Sequence, residues 1–287
     1  PESLVCAPDV TSWVSEEFGP SLLHVADDGR VLAPPVQIPG VRSPQNPFLR
    51  ISERARAERP TLAASRGFEG LAISPDGSTL YALLEGAVAG DDPRDLRLYA
   101  FDTAKSTLAP AFFTVRLDAP SQTVDLSSLT DAAGARVYAG VAAPPPGPLA
   151  IGELKAVNDH QLLLIERDNL GDDEAPPRVK KLYLLDLPSA RQGAVAKTQL
   201  VDLLAIPDPS GLGGELNFFR LPFYTIESVH VVDERTLLVA SDNNFPFSNG
   251  RSRSQSSDRR GPLKADDTDI ILIRLGTPLD VDRRLLQ

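Results

Sequence analysis

The chain has 287 residues, and its 29 Lys+Arg against 39 Asp+Glu give a formal net charge of −10, which argues against a general nucleic-acid binder with its need for a basic surface. Its apolar runs, such as residues 162–165 and 270–273, fall far short of the roughly 20 residues of a membrane-spanning helix. A single cysteine, Cys6, excludes an intramolecular disulfide framework and a cysteine-built zinc site.

A hydrophobic content of 42% with 24% charged residues is that of a folded domain. The 26 prolines and 20 glycines promise many turns and few long helices. There is no methionine, not even at position 1, so a processed product or a fragment is expected.

Taken in chain order, the strand patterns repeat. The first unit shows strands over residues 2–9, 12–17, 21–25 and 31–38. The second places them at 69–77, 79–85, 96–101 and 112–117. The third has 153–159, 161–168, 181–185 and 198–204, and the fourth 227–234, 236–244 and 269–274. Each unit opens with an acidic residue and an apolar strand. A Pro-Asp, Asn-Asp or Asp-Glu turn follows, then a second apolar strand that ends in acids again. Such turns between β-rich runs are hairpin signals.

Repeated four-stranded antiparallel units are the signature of a β-propeller. The expectation is an all-β, single-domain propeller over residues 1–287, with blades starting near 2, 69, 153 and 227. One or two further blades are expected in the intact protein. A β-sandwich explains the short strands equally well, but not a glutamate recurring at the same place in each unit.

If strand one of each blade runs from the top face to the bottom, the starts of first strands and the ends of second strands lie on top. That face collects Glu2, Glu16, Glu17, Glu69, Glu85, Glu153, Glu166, Asp168, Glu227, Asp242, Asn243 and Asn244. Converging like charges repel unless something neutralises them. Ca²⁺, which takes carboxylate and amide oxygens, suits that task. Glu2, Glu69, Glu153, Glu227, Asp242 and Asn243 are the expected metal ligands. The plainer alternative is that these acids cap strand-end N–H groups or pair with Arg66 and Arg167.

Two basic stretches lie on the same face. Residues 42–66 carry Arg42, Arg50, Arg54, Arg56, Arg59 and Arg66. Residues 250–264 carry Arg251, Arg253, Arg259, Arg260 and Lys264. Arginine forks suit phosphate or carboxylate oxygens, so Arg251 and Arg253 are candidate substrate contacts; a solvated loop is the alternative. A short surface helix within 48–59 fits the pattern as well. No Gly-x-Ser-x-Gly elbow, Walker loop or His-Glu-x-x-His motif is present. His24 and His160 read as structural, and His230 as a weak base candidate.

The stretches Trp13-Val-Ser-Glu-Glu-Phe-Gly-Pro-Ser21, Arg66-Gly-Phe-Glu-Gly-Leu-Ala72, Leu164-Ile-Glu-Arg-Asp168 and Ser241-Asp-Asn-Asn-Phe-Pro-Phe247, with Glu2-Ser-Leu before and Asp267-Thr-Asp269 after them, resemble the phytase-like family described as having esterase-like activity of phytase. The resemblance runs from residue 2 to about 275. It implies a propeller-like fold and hydrolysis of phosphoric or other esters.

The resulting expectation is a calcium-dependent ester hydrolase acting on a small anionic ester. One of Glu85, Glu166 or Asp168 would serve as general base, with Arg66 or Arg167 steadying the developing anion. A non-catalytic propeller binding a protein partner at the top face is the second reading, and a lactonase-like hydrolase the third. A secreted, periplasmic or lumenal setting is favoured.

Overall fold

The computed structural model describes residues 2–46, 59–119, 148–171, 177–188, 192–211, 218–243 and 268–286. The first sheet contains β1 (Ser3–Cys6), β2 (Ser12–Glu16), β3 (Ser21–Val25) and β4 (Val36–Gln37). The second contains β5 (Phe68–Ile73), β6 (Thr79–Leu84), β7 (Asp95–Asp102) and β8 (Thr107–Arg116). β9 (Ala150–Ala156), β10 (Gln161–Arg167) and β11 (Lys180–Asp186) build the third. Next, β12 (Gly193–Ala194) crosses back to pair in parallel with β8, and β13 (Ala196–Asp202) completes the third sheet. A small hairpin of β14 (Ile206–Pro207) and β15 (Phe218–Phe219) leads to the last sheet, formed by β16 (Thr225–Asp233), β17 (Thr236–Asp242) and β18 (Ile270–Arg274).

These are four antiparallel blades of a β-propeller, their inner strands β1, β5, β9 and β16 touching in sequence order. No helix among the described residues is long and apolar enough to cross a membrane. The fourth strands expected in the first three units are present, whereas among the described residues β18 is the outermost strand of the last blade. The region 48–59 expected as a short helix lies outside the described residues, Arg59 excepted.

The hairpin turns share one local cause. A side-chain oxygen accepts the backbone N–H two residues on: Asp9 from Thr11 at 3.1 Å, Asp76 from Ser78 at 2.9 Å, Asn158 from His160 at 3.0 Å and Asp233 from Arg235 at 2.7 Å. These are Asx-type turns. They stand on the bottom face, opposite the acids that begin the inner strands.

Three apolar cores lie between successive blades. Val5, Trp13 and Leu22 meet Phe68, Leu80 and Phe101. Leu83, Leu98 and Phe113 meet Ile151, Leu154 and Leu164. Leu163, Ile165 and Leu182 meet Ile226, Val229 and Val239. His24 is structural, stacked on Trp13 with ring centroids 4.2 Å apart. His160 sits in the bottom turn between β9 and β10.

The inner strands approach so closely that two positions take only glycine. A Cβ on Gly70 would stand 2.8 Å from Leu154 Cβ, and one on Gly152 only 2.0 Å from the Ile226 carbonyl oxygen. The second contact is backbone, so no side chain can swing aside. Gly152→Ala is therefore expected to cost about 3 kcal/mol or more by overpacking. Gly276→Ala, whose Cβ meets nothing within 4 Å, is expected to stay within about 0.5 kcal/mol. Urea unfolding of both variants checks this; equal midpoints would contradict the close approach.

Candidate functional site at the axial carboxylates

The top of the inner strands is shaped by bulges. Between Phe68↔Leu84 and Gly70↔Leu83 the register shifts by one residue, leaving Glu69 as the extra residue. Between Ile226↔Ser241 and Ser228↔Ala240 the extra residue is Glu227. In the third blade the shift falls between Ile151↔Glu166 and Glu153↔Ile165, so the residue equivalent to Glu69 and Glu227 is Gly152. The four glutamates expected to be equivalent are thus one matched pair, Glu69 and Glu227, and two residues at other positions, rather than a fourfold repeat. Glu69 and Glu227 occupy equivalent bulges of their own blades; Glu153 stands one residue deeper in β9, and Glu2 precedes β1.

Arg167, the last residue of β10, reaches both bulge glutamates. Its Nη2 lies 3.4 Å from Glu227 Oε1 and 3.7 Å from Glu69 Oε1, with Arg167 only 5% exposed. Nη1 donates to Asn169 Oδ1, while the buried Nε has no hydrogen-bond partner among the described residues. Glu153 accepts from Ser3 Oγ at 3.3 Å, a contact between the first and third blades, and from its neighbour Leu154 N at 3.0 Å. Glu85, just beyond β6, pairs with Arg66 at 2.8 Å.

Electrostatics bind these groups into one cluster. Burial first, then repulsion from Glu85, pushes Glu69 up to about 9 despite the attraction of Arg167. Burial raises Glu227 to about 7, with repulsion from Asp242, Glu2 and Glu85 added to it. Glu153 also reaches about 7, chiefly through burial. Glu85, Glu2 and Glu17 are raised as well, each by burial first. One guanidinium between two carboxylates therefore leaves the cluster short of positive charge.

Other expected site residues serve elsewhere. Glu166 is fully buried and paired with Lys197 at 2.6 Å, and its second oxygen accepts Asp118 N at 2.6 Å. Lys197 also reaches Asp118 at 2.8 Å and lies over the Tyr183 ring. This network ties the end of the second blade to the third. Asp168 accepts Arg178 N at 2.7 Å and Val179 N at 3.1 Å, and pairs with the buried Lys180 at 3.0 Å. Glu16 caps its own turn, accepting Phe18 N and Gly19 N.

Asp242 and Asn243 lie half-buried at the end of β17, and Asp242 acts electrostatically on Glu227. His230 is exposed on β16. Asn244, Arg251, Arg253 and the rest of the 250–264 stretch fall outside the described residues, as do Arg50, Arg54 and Arg56.

The carboxylates are hard oxygen donors whose ionisation is opposed by burial, so the donor set suits a divalent cation in its chemistry. Among the described residues, no group of three His, Cys, Asp or Glu side chains stands in a metal-holding arrangement. Arg167 supplies the local positive charge. The sequence had already offered Arg167 as a partner of these acids, though not that its one guanidinium reaches both bulge glutamates. Its place at the end of an apolar inner strand pair, Leu162 to Ile165, was the available signal.

Residues 1–245 match the family described as "Phytase-like: Esterase-like activity of phytase", and the chain belongs to that phytase-like family. A curated relative, an uncharacterized secreted protein of Arthroderma benhamiae, is 32% identical over 103 residues, covering 31% of this chain and 20% of the relative. The chain thus spans about a fifth of that protein's length.

Among solved structures, it is similar to a luciferin-regenerating enzyme at 12% identity (TM-score 0.40), covering 96% of this chain and 62% of that one. It is also similar to the Cps50 (Swd1) β-propeller domain of Myceliophteria thermophila at 9% identity (TM-score 0.37), over 84% of this chain and 50% of that one. A Niastella koreensis GH74 enzyme aligns at 11% identity (TM-score 0.34), over 89% and 36%.

The raised carboxyls make a signed prediction. Glu69 titrates near 9 when folded against 4.5 for the free side chain, so the folded state binds that proton more tightly. The stability this provides is complete below 4.5 and is lost as pH rises towards 9. Glu69→Gln, neutral at every pH, is expected to flatten that decline and raise the melting temperature at the alkaline end. Melting curves across the window check it; an unchanged slope in the variant would remove Glu69 from the account.

Proposed function

We propose that the chain is a calcium-dependent ester hydrolase working on phosphate esters at the axial carboxylate cluster. The observation that carries the reading is the clustering of the buried Glu69 and Glu85, the partly buried Glu153 and Glu227 and the exposed Glu2 in one charge-deficient site with arginines beside it. Membership of a family described by esterase-like activity supports the reaction class. Glu2, Glu69, Glu153, Glu227, Asp242 and Asn243 would hold the ion through their oxygens. When bound, such an ion polarises an ester oxygen and lowers the pKa of its water.

The protein's own groups then divide the remaining work. Glu85 is the base candidate that acts on the cluster, through Glu69 and Glu227. Glu166 and Asp168 are engaged in the lysine ion pairs described above, and so give way to it. Arg66, paired with Glu85 and partly exposed, and Arg167 offer guanidinium N–H groups to the ester's anionic oxygens. An extracellular setting, the one named for the fungal relative, suits a calcium-dependent enzyme.

One observation favours a second reading, a non-catalytic propeller that binds a partner at this face. Arg167 already bridges Glu69 and Glu227, which gives the cluster a cation of its own.

Melting with and without calcium, together with turnover of a chromogenic phosphate monoester, separates the two. Saturation at about 100 times Kd should stabilise the fold by about 2.7 kcal/mol, and chelation should abolish turnover. Glu69→Gln and Glu227→Gln should each lose the calcium-dependent shift. A melting temperature indifferent to calcium, with no turnover, contradicts the hydrolase reading and leaves the binding module.

A further inference from the structure

Strand alternation sends three cationic side chains into the top end of the seam between the third and fourth blades. In β10, Leu163 and Ile165 face the fourth blade, and Arg167 follows them at the same spacing. In β11, Leu182 faces that way too, while Tyr183 and Leu185 face the second blade. Lys180 stands opposite Arg167 and on the same side, where its Nζ donates to the Tyr224 carbonyl at 2.9 Å. The ladder runs one step further, with Asp168 N donating to Val179 O, and Val179 belongs to the core on the second-blade side. Arg178 therefore shares the face of Lys180 and Arg167, and is the nearest of the three to the top.

Two of these charges are met. Lys180 pairs with Asp168, and Arg167 reaches Glu227 and Glu69. Arg178 differs. It is only 5% exposed, yet among the described residues its guanidinium makes no ion pair and its buried Nη1 has no hydrogen-bond partner. Neighbouring Asp168 has no oxygen to spare for it. Oδ2 accepts the backbone N–H groups of Arg178 and Val179, and Oδ1 stands 3.0 Å from Lys180 Nζ. The buried Nε of Arg167, at the same end of the seam, also lacks an acceptor among the described residues. A buried guanidinium without a counter-charge is costly, and its planar fork of N–H groups matches the oxygens of a phosphate.

We infer that Arg178, with Arg167 beside it, forms an oxyanion subsite at the top of this seam that takes the phosphate group of an ester. Arg178 ends the ladder, so an anion arriving over the top face meets it before Lys180 and without entering the apolar core. Arg167 connects the subsite to the axial carboxylates, because the same guanidinium reaches Glu227 and Glu69. Lys180, held by Asp168 and by the Asp168 and Tyr224 carbonyls, keeps the frame in place. The inference rests on the reading of this face as one that takes an anionic ester. It adds the residue that receives the anionic group, a role the sequence did not suggest for Arg178.

Melting of the chain in chelator, with inorganic phosphate or phenyl phosphate against chloride at equal ionic strength, tests this without recourse to turnover. Both phosphates should raise the melting temperature. Arg178→Met should lose that rise, yet melt no lower than the unaltered protein when phosphate is absent, because it exchanges an unpaired buried charge for an apolar chain. Arg178→Lys, which keeps the charge without the fork, should weaken phosphate without abolishing its effect. Arg30→Met, at an exposed arginine of the first blade, should keep the full rise. No rise in the unaltered protein, or an equal rise in Arg178→Met, would overturn the inference. A rise with inorganic phosphate alone would overturn the assignment to an ester. An Arg178→Met protein that melts well below the unaltered one would overturn it too, by showing a counter-charge within the chain. A calcium-dependent hydrolase whose phosphate affinity ignores Arg178 would keep the proposed function and lose only this subsite.

Discussion

Four inner strands converge on one axis so tightly that backbone meets backbone, and much of the rest follows from that closeness. Gly152 lies over the Ile226 carbonyl, Gly70 lies against Leu154, and Ser3 reaches across to Glu153. Carboxylates placed at the starts of such strands lose water and face one another. Two like charges about 5 Å apart repel by about 3 kcal/mol at an effective dielectric near 20. Desolvation adds to that repulsion. The bulges at Glu69 and Glu227 sharpen the conflict, because each brings a carboxylate to the same guanidinium.

The charged residues of the top face accordingly fall into two groups with different work. Glu166 with Lys197, and Asp168 with Lys180, are paired at 2.6 and 3.0 Å within the third blade, and the same lysines reach Asp118 after the second blade and the Tyr224 carbonyl before the fourth. Their oxygens are occupied by ammonium and backbone N–H groups. The axial group is left with raised proton affinity instead, as expected of carboxyls that need a cation or a proton to be stable. Residues next to one another in sequence thus divide sharply: Glu166 and Asp168 support the frame, while Arg167 between them turns to the axis. Strand alternation, which sends successive side chains to opposite faces, is the cause.

The strand pattern was legible because each hairpin carries the same turn chemistry. Asp9, Asp76, Asn158 and Asp233 announce their turns in sequence and hold them in the structure. Fourth strands in three blades were legible as further apolar runs after each third strand. The glutamate repeat was read only in part. A bulge displaces one residue without altering composition, so the correspondence of Gly152, and not Glu153, with Glu69 and Glu227 could not be counted from strand starts. β9 also begins at Ala150, three residues before the acid that marked it. The crossing of β12 onto β8, and the Lys197–Glu166–Asp118 network, depend on contacts between distant segments that no local pattern encodes.

Direct titration of the Glu69 side-chain carboxyl by NMR, in the metal-free protein, bears most closely on the claim that the axial acids are buried and under-compensated. A midpoint near 9 is predicted, moving down when calcium is added. A midpoint at the ordinary 4.5, unmoved by calcium, would contradict it.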